Sequence, residues 1–281
     1  MARRTMTAVA VLGTLSLAAC SGADAGTSPA VAADCKPAHT FPTVKPKTLT
    51  VGVISSLPYS AVNPVSQKWE GIDAEFGAAI AAKECLTVTA VAVGGADAIQ
   101  SLNAGKIDLL SAGAYITPAR GEVVGQTDPL YYQYTVTVSA TPAATIDALR
   151  GRRIGALSGA AYVEPLRAAL GAGRVREYPS TSDLLADVKN NRVEVAVAAS
   201  AEARYQIDKS GYSGLQVTRL VPGAATPDLR PIYGVDMPFA KTNTEFGKAL
   251  NADIAALRAD GTTQKILANW KQDDSLTLNG K

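Results

Sequence analysis

Side chains suited to metal and nucleophilic chemistry are scarce in this sequence. Its 281 residues include one histidine, His39, and three cysteines, Cys20, Cys35 and Cys85. This count excludes a zinc site built from several histidines or from paired CxxC motifs, and it leaves His39 as the sole histidine for a catalytic triad. The sequence therefore predicts no metal site and no cofactor.

Cys20 closes a segment that is typical of an export signal. A positive start is followed by an apolar run over residues 6–19, which is shorter than the about 20 residues that span a bilayer. The ending Leu-Ala-Ala-Cys at residues 17–20 resembles a bacterial lipobox, in which the cysteine becomes the lipidated first residue after cleavage. We expect a signal peptide over residues 1–19 and a lipid anchor on the extracellular face of the cell membrane. The alternative is an ordinary signal peptide that happens to carry a cysteine.

A tether and a disulfide are predicted after the signal. Residues 21–34 are mostly Ser, Gly, Ala, Thr, Pro and Asp, a composition that buries too little apolar surface to fold. We expect the lipidated cysteine and a flexible tether to occupy residues 20–46. Cys35 and Cys85 remain once Cys20 is lipidated, and in an exported chain they most simply form one disulfide. Two separate buried thiols are the alternative.

The charge balance excludes one class of partner. Lys plus Arg number 27 and Asp plus Glu number 25, a net charge of +2 that removal of the two leader arginines brings to zero. A nucleic-acid binder needs a basic face to meet phosphates, and nothing here indicates one. With 47% hydrophobic and 19% charged residues, the chain can bury a substantial core.

The residue patterns predict the elements that must position any site. Three β-rich segments alternate with two helical ones, the first helix capped by Asp73: strands at 48–54, 86–91 and 107–110, and helices at 73–83 and 97–104. Gly105 is a predicted left-handed helix stop. This βαβαβ order is typical of a parallel sheet with helices on its faces.

The same order then recurs along the chain. The pattern predicts strands at 153–157, 175–178 and 193–197, and helices at 161–170 and 180–190. Ser180 and Asp183 have capping-box spacing, and Asn191 is a predicted left-handed stop. A strand at 232–235 and helices at 244–258 and 263–270 follow. A chain that builds one lobe, then a second, then more of the first crosses twice between lobes, which makes a hinge and a cleft.

Short segments in a characteristic order carry a family resemblance. They are Thr48–Val53, Gly71–Phe76, Leu102–Asp108, Ile116–Arg120, Thr127–Tyr132, Gly151–Gly155, Leu250–Asp253 and Ala259–Thr262. In their order and spacing, residues 47 to 271 resemble bacterial extracellular solute-binding proteins of family 3, the amino-acid receptors of ABC importers. The resemblance implies an α/β, two-lobed, periplasmic-binding-protein-like clamp of type II with two hinge crossings.

The resemblance also implies a layout and a function. Lobe 1 is expected over residues 47–138 plus 232–272, lobe 2 over 139–231, and a tail over 273–281. The implied protein is a monomeric binding protein and not an enzyme. It captures a small carboxylate-bearing solute, an amino acid or a derivative, for ABC permease and ATPase subunits.

In this family an arginine that ends a Thr-Pro-x-Arg stretch holds the ligand carboxylate, and Arg120 stands at that position. A guanidinium matches a carboxylate in a bidentate pair, and Thr117 would add a donor. Lobe 2 would add backbone N–H groups at the helix start, from Ser158 to Ala161, where the dipole favours an anion. The other ligand-binding candidates are Ser55, Tyr59, Gly113, Tyr115, Tyr162 and Ser200.

Departures from the family pattern concern the ligand's ammonium. Amino-acid binders usually carry an Asp after the first strand and another after the lobe 2 strand, where this chain has Ile54 and Ala199, and Tyr115 replaces a Ser or Thr. Since a buried, unpaired ammonium is costly, an ordinary amino acid held in the usual way should bind poorly. The cleft either prefers a carboxylate whose nitrogen is methylated, delocalised or missing, or contains a displaced acid. Glu164 and Glu202 are the candidate acids.

Tyrosines are the other feature of the predicted cleft. The resemblance turns Tyr59, Tyr115 and Tyr162 toward it, and places another three near the crossing, Tyr131, Tyr132 and Tyr134. A tyrosine face holds a methylated or delocalised cation by about 0.5–2 kcal/mol, although ordinary packing is the alternative for each.

Two further functions fit the same resemblance. Cyclohexadienyl dehydratases are enzymes similar to this family that also use a carboxylate-binding arginine, and they need an acid or base in the cleft. The absence of acids at Ile54 and Ala199 counts against an enzyme, while Glu164 and Glu202 keep it open. A sensor that signals to a membrane partner would have a similar sequence.

Overall fold

The computed structural model describes residues 31–223, 226, 229–272 and 274–280. The predicted signal peptide, Cys20 and the tether as far as residue 30 lie outside the described residues. Within the described part, no helix is both long and apolar enough to cross a membrane.

Lobe 1 is built around a three-stranded parallel sheet. Its central strand β1 (Thr48–Val53) lies between β4 (Thr87–Ala92) and β5 (Leu109–Ser111). Parallel neighbours need crossover connections, and α1 (Ile72–Lys83) and α2 (Gly95–Asn103) supply them. The predicted βαβαβ order is confirmed, and the buried apolar residues of β1 form the middle of this lobe's core.

The C-terminal helices complete lobe 1. Both α7 (Thr244–Ala259) and α8 (Thr262–Asn269) pack against α1. On α7, Phe246 and Leu250 are buried in the lobe 1 core, one helical turn apart. A short hairpin, β2 (Ala61–Val62) with β3 (Trp69–Glu70), covers the start of α1.

Lobe 2 contains a second α/β unit, as the recurring pattern predicted. Its helices and strands are β8 (Ile154–Leu157), α4 (Val163–Leu170), β9 (Val175–Tyr178), α5 (Thr181–Lys189), β10 (Val195–Ala199), α6 (Ser200–Ser210) and β11 (Gln216–Arg219). β8 pairs in parallel with both β9 and β10. Single-turn 3₁₀ helices lie at Asp147–Leu149 and Ala172–Arg174.

A long strand, β7 (Tyr131–Ser139), connects the two lobes. Its first residues pair with β12 (Ile232–Asp236), which also pairs with β6 (Ala114–Tyr115) of lobe 1. Its later residues pair with β10 and β11 of lobe 2. The chain therefore passes to lobe 2 along β7 and returns at β12, and the predicted two-lobed fold with two crossings is confirmed.

Helix ends test the local predictions. Ser180 Oγ accepts the backbone N–H of Asp183 at 3.1 Å, so the predicted N-cap is confirmed. Gly105 (φ 63°) and Asn191 (φ 55°) adopt the predicted left-handed conformation after α2 and α5. The Asp73 cap is wrong, because Gly71 holds the N-cap position of α1 and the Asp73 carboxylate faces the interior.

The disulfide between Cys35 and Cys85 is present, as predicted, with the two Cα atoms 5.8 Å apart. The segment after Cys35 lies along lobe 1. The N–H of Ala38 donates to Lys83 O at 3.2 Å, and the N–H of Val44 donates to Asp108 Oδ1 at 2.7 Å. The end of the predicted tether is thus held against the domain, because it has both a covalent link and hydrogen-bond partners there.

The predicted tail over residues 273–281 includes a helix, α9 (Ser275–Asn279), packed beside β7. Arg258 Nη1 donates to Leu278 O at 2.7 Å. Asp274 accepts from Arg204 Nη1 of α6 at 2.9 Å. The C-terminal segment therefore contacts elements of both lobes close to the crossing.

Candidate functional site

A cavity of 440 Å³ lies between the two lobes. Lobe 1 lines it with residues after β1, in β6 and just before it, and on α2 and α3 (Pro118–Val123). Lobe 2 lines it with the loop before α4 and the junction of β10 and α6. Its volume suits a ligand of amino-acid size, since small-molecule pockets start at about 300 Å³.

Seven of the ten predicted ligand-binding residues line this cavity: Tyr59, Gly113, Tyr115, Arg120, Ser158, Ala161 and Tyr162. The other three are near it but outside its lining. Ser55 is exposed, and its neighbour Ser56 takes the lining position. Thr117 caps α3, and Ser200 is buried against Gln133 Oε1, to which its hydroxyl donates at 2.8 Å.

Arg120 is held at the cavity by its own helix. Thr117 Oγ1 accepts the backbone N–H of Arg120 at 3.3 Å, and Pro118 occupies the first turn, where its missing N–H costs nothing. Arg120 Nη1 donates to the Tyr115 carbonyl oxygen at 2.9 Å, which orients the guanidinium. Burial lowers the pKa of Arg120, while nearby Asp236 acts in the opposite direction. The remaining N–H groups of the fork are suited to a carboxylate.

Three buried tyrosines surround the cavity, and all three were predicted to face it. Burial raises the pKa values of Tyr59, Tyr115 and Tyr162, so their phenols stay neutral. Tyr115 stacks on Tyr233 with ring centroids 4.5 Å apart, and its hydroxyl has no hydrogen-bond partner among the described residues. The tyrosines predicted near the crossing, Tyr131, Tyr132 and Tyr134, do not line the cavity.

Glycine is required at position 113, where the backbone of the lobe 1 wall passes close to the Tyr59 ring. A Cβ at Gly113 would lie 2.4 Å from the Tyr59 ring, and the residue has a φ of 59°. Its N–H donates to Asp73 Oδ2 at 3.0 Å, and the Tyr131 hydroxyl donates to Asp73 Oδ1 at 3.1 Å. Burial raises the pKa of Asp73 to about 6 despite these donors. Asp73 therefore anchors the loop that carries Gly113, instead of capping α1.

The predicted helix start at Ala161 is two residues early, since α4 begins at Val163, and the backbone N–H groups of the preceding loop are partly used. The N–H of Ser158 donates to Tyr178 O at 2.9 Å, and that of Ala160 donates to Leu157 O at 3.2 Å. The Ser158 hydroxyl donates to Glu177 Oε2 at 2.6 Å. Much of the polar capacity of this loop is thus already used within lobe 2.

Among the described residues that line the cavity, Glu202 is the acid. It lies in the first turn of α6, is 5% exposed, and accepts a hydrogen bond from Ser56 Oγ of lobe 1 at 3.2 Å. Burial raises its pKa, and the hydroxyls of Thr181 and Ser56 act against this rise. Among the described residues, no cationic side chain forms an ion pair with Glu202.

The other candidate acid does not reach the cavity. Glu164 is on the solvent side of α4, where it pairs with Arg167 Nη1 at 2.9 Å and its side chain is 80% exposed. Ile54 and Ala199 do line the cavity. The two positions at which the family resemblance implied acids therefore face the cavity without charge, and Glu202 places a carboxylate at the cavity one helical turn after Ala199.

Comparisons with known proteins agree with this architecture. The family model of bacterial extracellular solute-binding proteins, family 3, matches residues 49–273. ABC transporter arginine-binding protein 1 of Escherichia coli strain K12 is 26% identical over 176 residues, covering 61% of this chain and 69% of that protein. The histidine-binding periplasmic protein of the same strain is 28% identical over 184 residues, covering 61% and 67%. A solved histidine kinase sensor domain shares the fold, with a TM-score of 0.68 at 21% identity over 80% of this chain and 96% of that chain.

Proposed function

The chain belongs to the bacterial extracellular solute-binding proteins of family 3, and from this membership we propose that it is the ligand-capturing subunit of an ABC importer. Its cargo would be an amino acid or a close derivative. Members of this family are extracellular or periplasmic. The protein would act as a monomer and pass its ligand to permease and ATPase subunits.

The observation that carries the proposal is that Arg120 and Glu202 line one cavity from opposite lobes. The guanidinium would hold the ligand carboxylate, and the Glu202 carboxylate would hold a cationic group. Since Glu202 is buried without an ionic partner among the described residues, a cation on the ligand would compensate its desolvation. This supports the hypothesis of a displaced acid over that of a ligand without a free ammonium.

Capture by closure follows from the same arrangement. Ser56 of lobe 1 donates to Glu202 of lobe 2, so the two walls are within hydrogen-bond reach of each other. A ligand that contacts both walls favours the arrangement in which the lobes are close, because it binds that arrangement more tightly. The three neutral tyrosines exclude water around the ligand and strengthen its charge pairs.

A ligand screen tests the proposal. The protein is heated with each common amino acid, with betaines, with keto acids and with polyamines, and its unfolding temperature is recorded. A ligand at 100 times its dissociation constant adds about 2.7 kcal/mol to the free energy of unfolding, a clear shift. We expect amino acids with a second cationic group to give the largest shifts, in line with the names of the two Escherichia coli relatives. Stabilisation by none of these compounds would contradict the proposal.

A substitution separates the two ligand hypotheses. Ala199→Asp places an acid where the family resemblance implies one. If Glu202 already serves the cation, the added acid brings a second buried negative charge and does not improve amino-acid binding. If the cleft lacks an ammonium partner, the same variant binds ordinary amino acids more tightly than the native protein does.

An enzyme on this fold is the second candidate function, and the one observation that favours it is the buried carboxyl of Glu202 in the cavity. A buried carboxyl with a raised pKa in a cavity is suited to general acid catalysis. Incubation with prephenate and measurement of its turnover decides between the two functions. Turnover that is lost in Glu202→Gln would support a dehydratase, and its absence in the presence of tight amino-acid binding would support a binding protein.

We also propose that Cys20 carries the lipid anchor. Its place in the Leu-Ala-Ala-Cys ending supports this, and an acyl anchor supplies the membrane affinity of such proteins. Cys20→Ala should stop lipid labelling and release the protein from the membrane fraction. Unchanged labelling of the variant by a radioactive fatty acid would overturn the proposal.

A further inference from the structure

A cluster of three ligand-type side chains lies in lobe 1, away from the interlobe cavity. It consists of His39 in the N-terminal segment, Glu84 directly after α1 and Asp253 on α7, with one ligand atom from each within 4.8 Å of the others. His39 Nδ1 lies 2.6 Å from Glu84 Oε1, and the backbone N–H of His39 donates to Glu84 Oε2 at 3.0 Å. The ligand-binding proposal uses none of these groups.

Asp253 is the unusual member of the cluster. It is 1% exposed, no N–H or hydroxyl donor among the described residues reaches its carboxylate oxygens, and the Glu84 carboxyl lies beside it. Buried carboxylates are normally paired or hydrogen-bonded, since desolvation without compensation is costly. Burial and the neighbouring Glu84 carboxyl raise the pKa of Asp253, with His39 and Lys83 acting in the opposite direction. The geometry places two buried acids together with a single imidazole, and a further positive charge would satisfy them.

We propose that His39, Glu84 and Asp253 bind a divalent transition-metal cation, with zinc as the best match. An imidazole nitrogen and carboxylate oxygens are ligand types that zinc accepts, and a water on three protein ligands completes four-coordinate zinc. The His39 side chain is 36% exposed, which leaves a path from solvent and room for that water. This departs from the expectation of no metal, which the histidine and cysteine counts suggested.

The surrounding structure holds the three side chains together. Glu84 precedes Cys85, and the disulfide from Cys85 to Cys35 brings the segment that carries His39 back against α1. The N–H of Ala38 donates to Lys83 O at 3.2 Å and fixes the same junction. A bound cation would join the N-terminal segment, α1 and α7, so it would hold the end of the tether on lobe 1 independently of the amino-acid ligand.

The single histidine makes the test unambiguous. The full chain with Cys20→Ala, which removes the one cysteine outside the disulfide, is stripped with chelator in detergent solution. It is then titrated with ZnCl₂ by calorimetry, with MgCl₂ as the control. We expect one zinc ion per chain, no comparable heat from magnesium, and a shift of the His39 ring proton signals in the NMR spectrum after one equivalent.

Variants then assign the ligands. His39→Gln and Asp253→Asn should each weaken zinc binding by at least about tenfold. Glu164→Gln, which alters an exposed carboxylate outside the cluster, should bind zinc as the parent chain does. His39 signals that do not move with zinc in the parent chain would overturn the proposal without any variant. Equal zinc affinity in His39→Gln would also overturn it, and a proton shared between Glu84 and Asp253 would then account for the cluster.

Discussion

The two walls of the interlobe cavity differ in charge and in how their charged groups are supported. The lobe 1 wall presents a cation, Arg120, whose guanidinium is oriented by the Tyr115 carbonyl oxygen. The lobe 2 wall presents an anion, Glu202, on the first turn of α6. A ligand that satisfies both walls must carry a carboxylate and a cation on different parts of the molecule. The opposite charges of the two walls therefore predict that the ligand carries both a carboxylate and a cation.

Two buried acids close to the cavity sharpen this contrast. Asp73 accepts from the Gly113 N–H and the Tyr131 hydroxyl, and Ser111 Oγ lies 3.1 Å from it. Glu202 accepts a hydrogen bond from the Ser56 hydroxyl and faces the cavity. Asp73 thus has its partners inside the fold and serves structure, whereas Glu202 has capacity left for a ligand.

Removing the charge of Arg120 in lobe 1 should weaken ligand binding more than any other change. Arg120→Ala should weaken binding of a carboxylate ligand by about 2–5 kcal/mol, because a desolvated charge pair loses one partner. Calorimetry with the best ligand from the screen measures the loss. Arg150→Ala, which changes an exposed arginine paired with Asp147, is the control and should bind normally. A loss below tenfold in Arg120→Ala would show that this wall is not the carboxylate site.

Removing the charge of Glu202 in lobe 2 should weaken ligand binding somewhat less than removing that of Arg120. Glu202→Gln keeps the shape and the hydrogen bond from Ser56 but removes the charge. A hydrogen bond to a charged group contributes about 1.5–3 kcal/mol, so affinity for a cationic ligand should fall by that amount. Glu164→Gln is the matched control. Binding of a keto acid, which has no cation, should not weaken in Glu202→Gln, and equal losses for both ligand types would contradict the assignment.

The lobe 1 wall also depends on a close approach between Gly113 and Tyr59. Gly113→Ala should lower the free energy of unfolding by about 1–3 kcal/mol, because its Cβ would overlap the Tyr59 ring. Gly173→Ala, at a position with no heavy atom within 4 Å of the added Cβ, is the control and should change stability little. Denaturant unfolding of both variants measures the difference, and equal stability would show that Tyr59 can move away freely.

The smallest expected effect is a pH dependence that only the lobe 2 wall should produce. Burial raises the pKa of Glu202 above the usual glutamate value. A cationic ligand binds the charged form of Glu202, so its affinity should fall as the pH is lowered through this raised pKa. The fall should begin at a higher pH than it would for an exposed glutamate. Affinity measured by calorimetry at a series of pH values tests this. Glu202→Gln should lose that part of the pH profile, and an identical profile in both proteins would assign it to another group.

The sequence predicted the helices and strands that form local, regular patterns. β1 and α1 were anticipated because their apolar residues recur with the period of the element, and α5 because Ser180 and Asp183 have capping-box spacing. β7 was missed because it is buried on both faces, including Thr135 and Thr137, so no alternation is visible. α6 was missed because only its first four residues are buried, which leaves no apolar stripe along the helix.

The same limits apply to the site. The place of Arg120 at the cavity was predicted because Arg120 ends a recognisable short segment. Glu202 stayed one of two candidate acids, since its place in the cavity depends on the direction in which α6 leaves β10. Asp73 was assigned to a helix cap because its real partners, among them the N–H of Gly113, are forty residues away along the chain. Contacts across such separations cannot be inferred from residue spacing.

Calorimetry of the native protein against matched ligands tests the central claim most directly. The panel contains the common amino acids, which carry both charges, pyruvate, which carries only a carboxylate, and putrescine, which carries only cations. If the two walls act together, at least one unmodified amino acid should bind with a Kd below about 1 μM. Pyruvate and putrescine should then bind at least about 10- to 100-fold more weakly. Binding of pyruvate or putrescine as tight as that of every amino acid would contradict the claim that Arg120 and Glu202 hold one ligand between them.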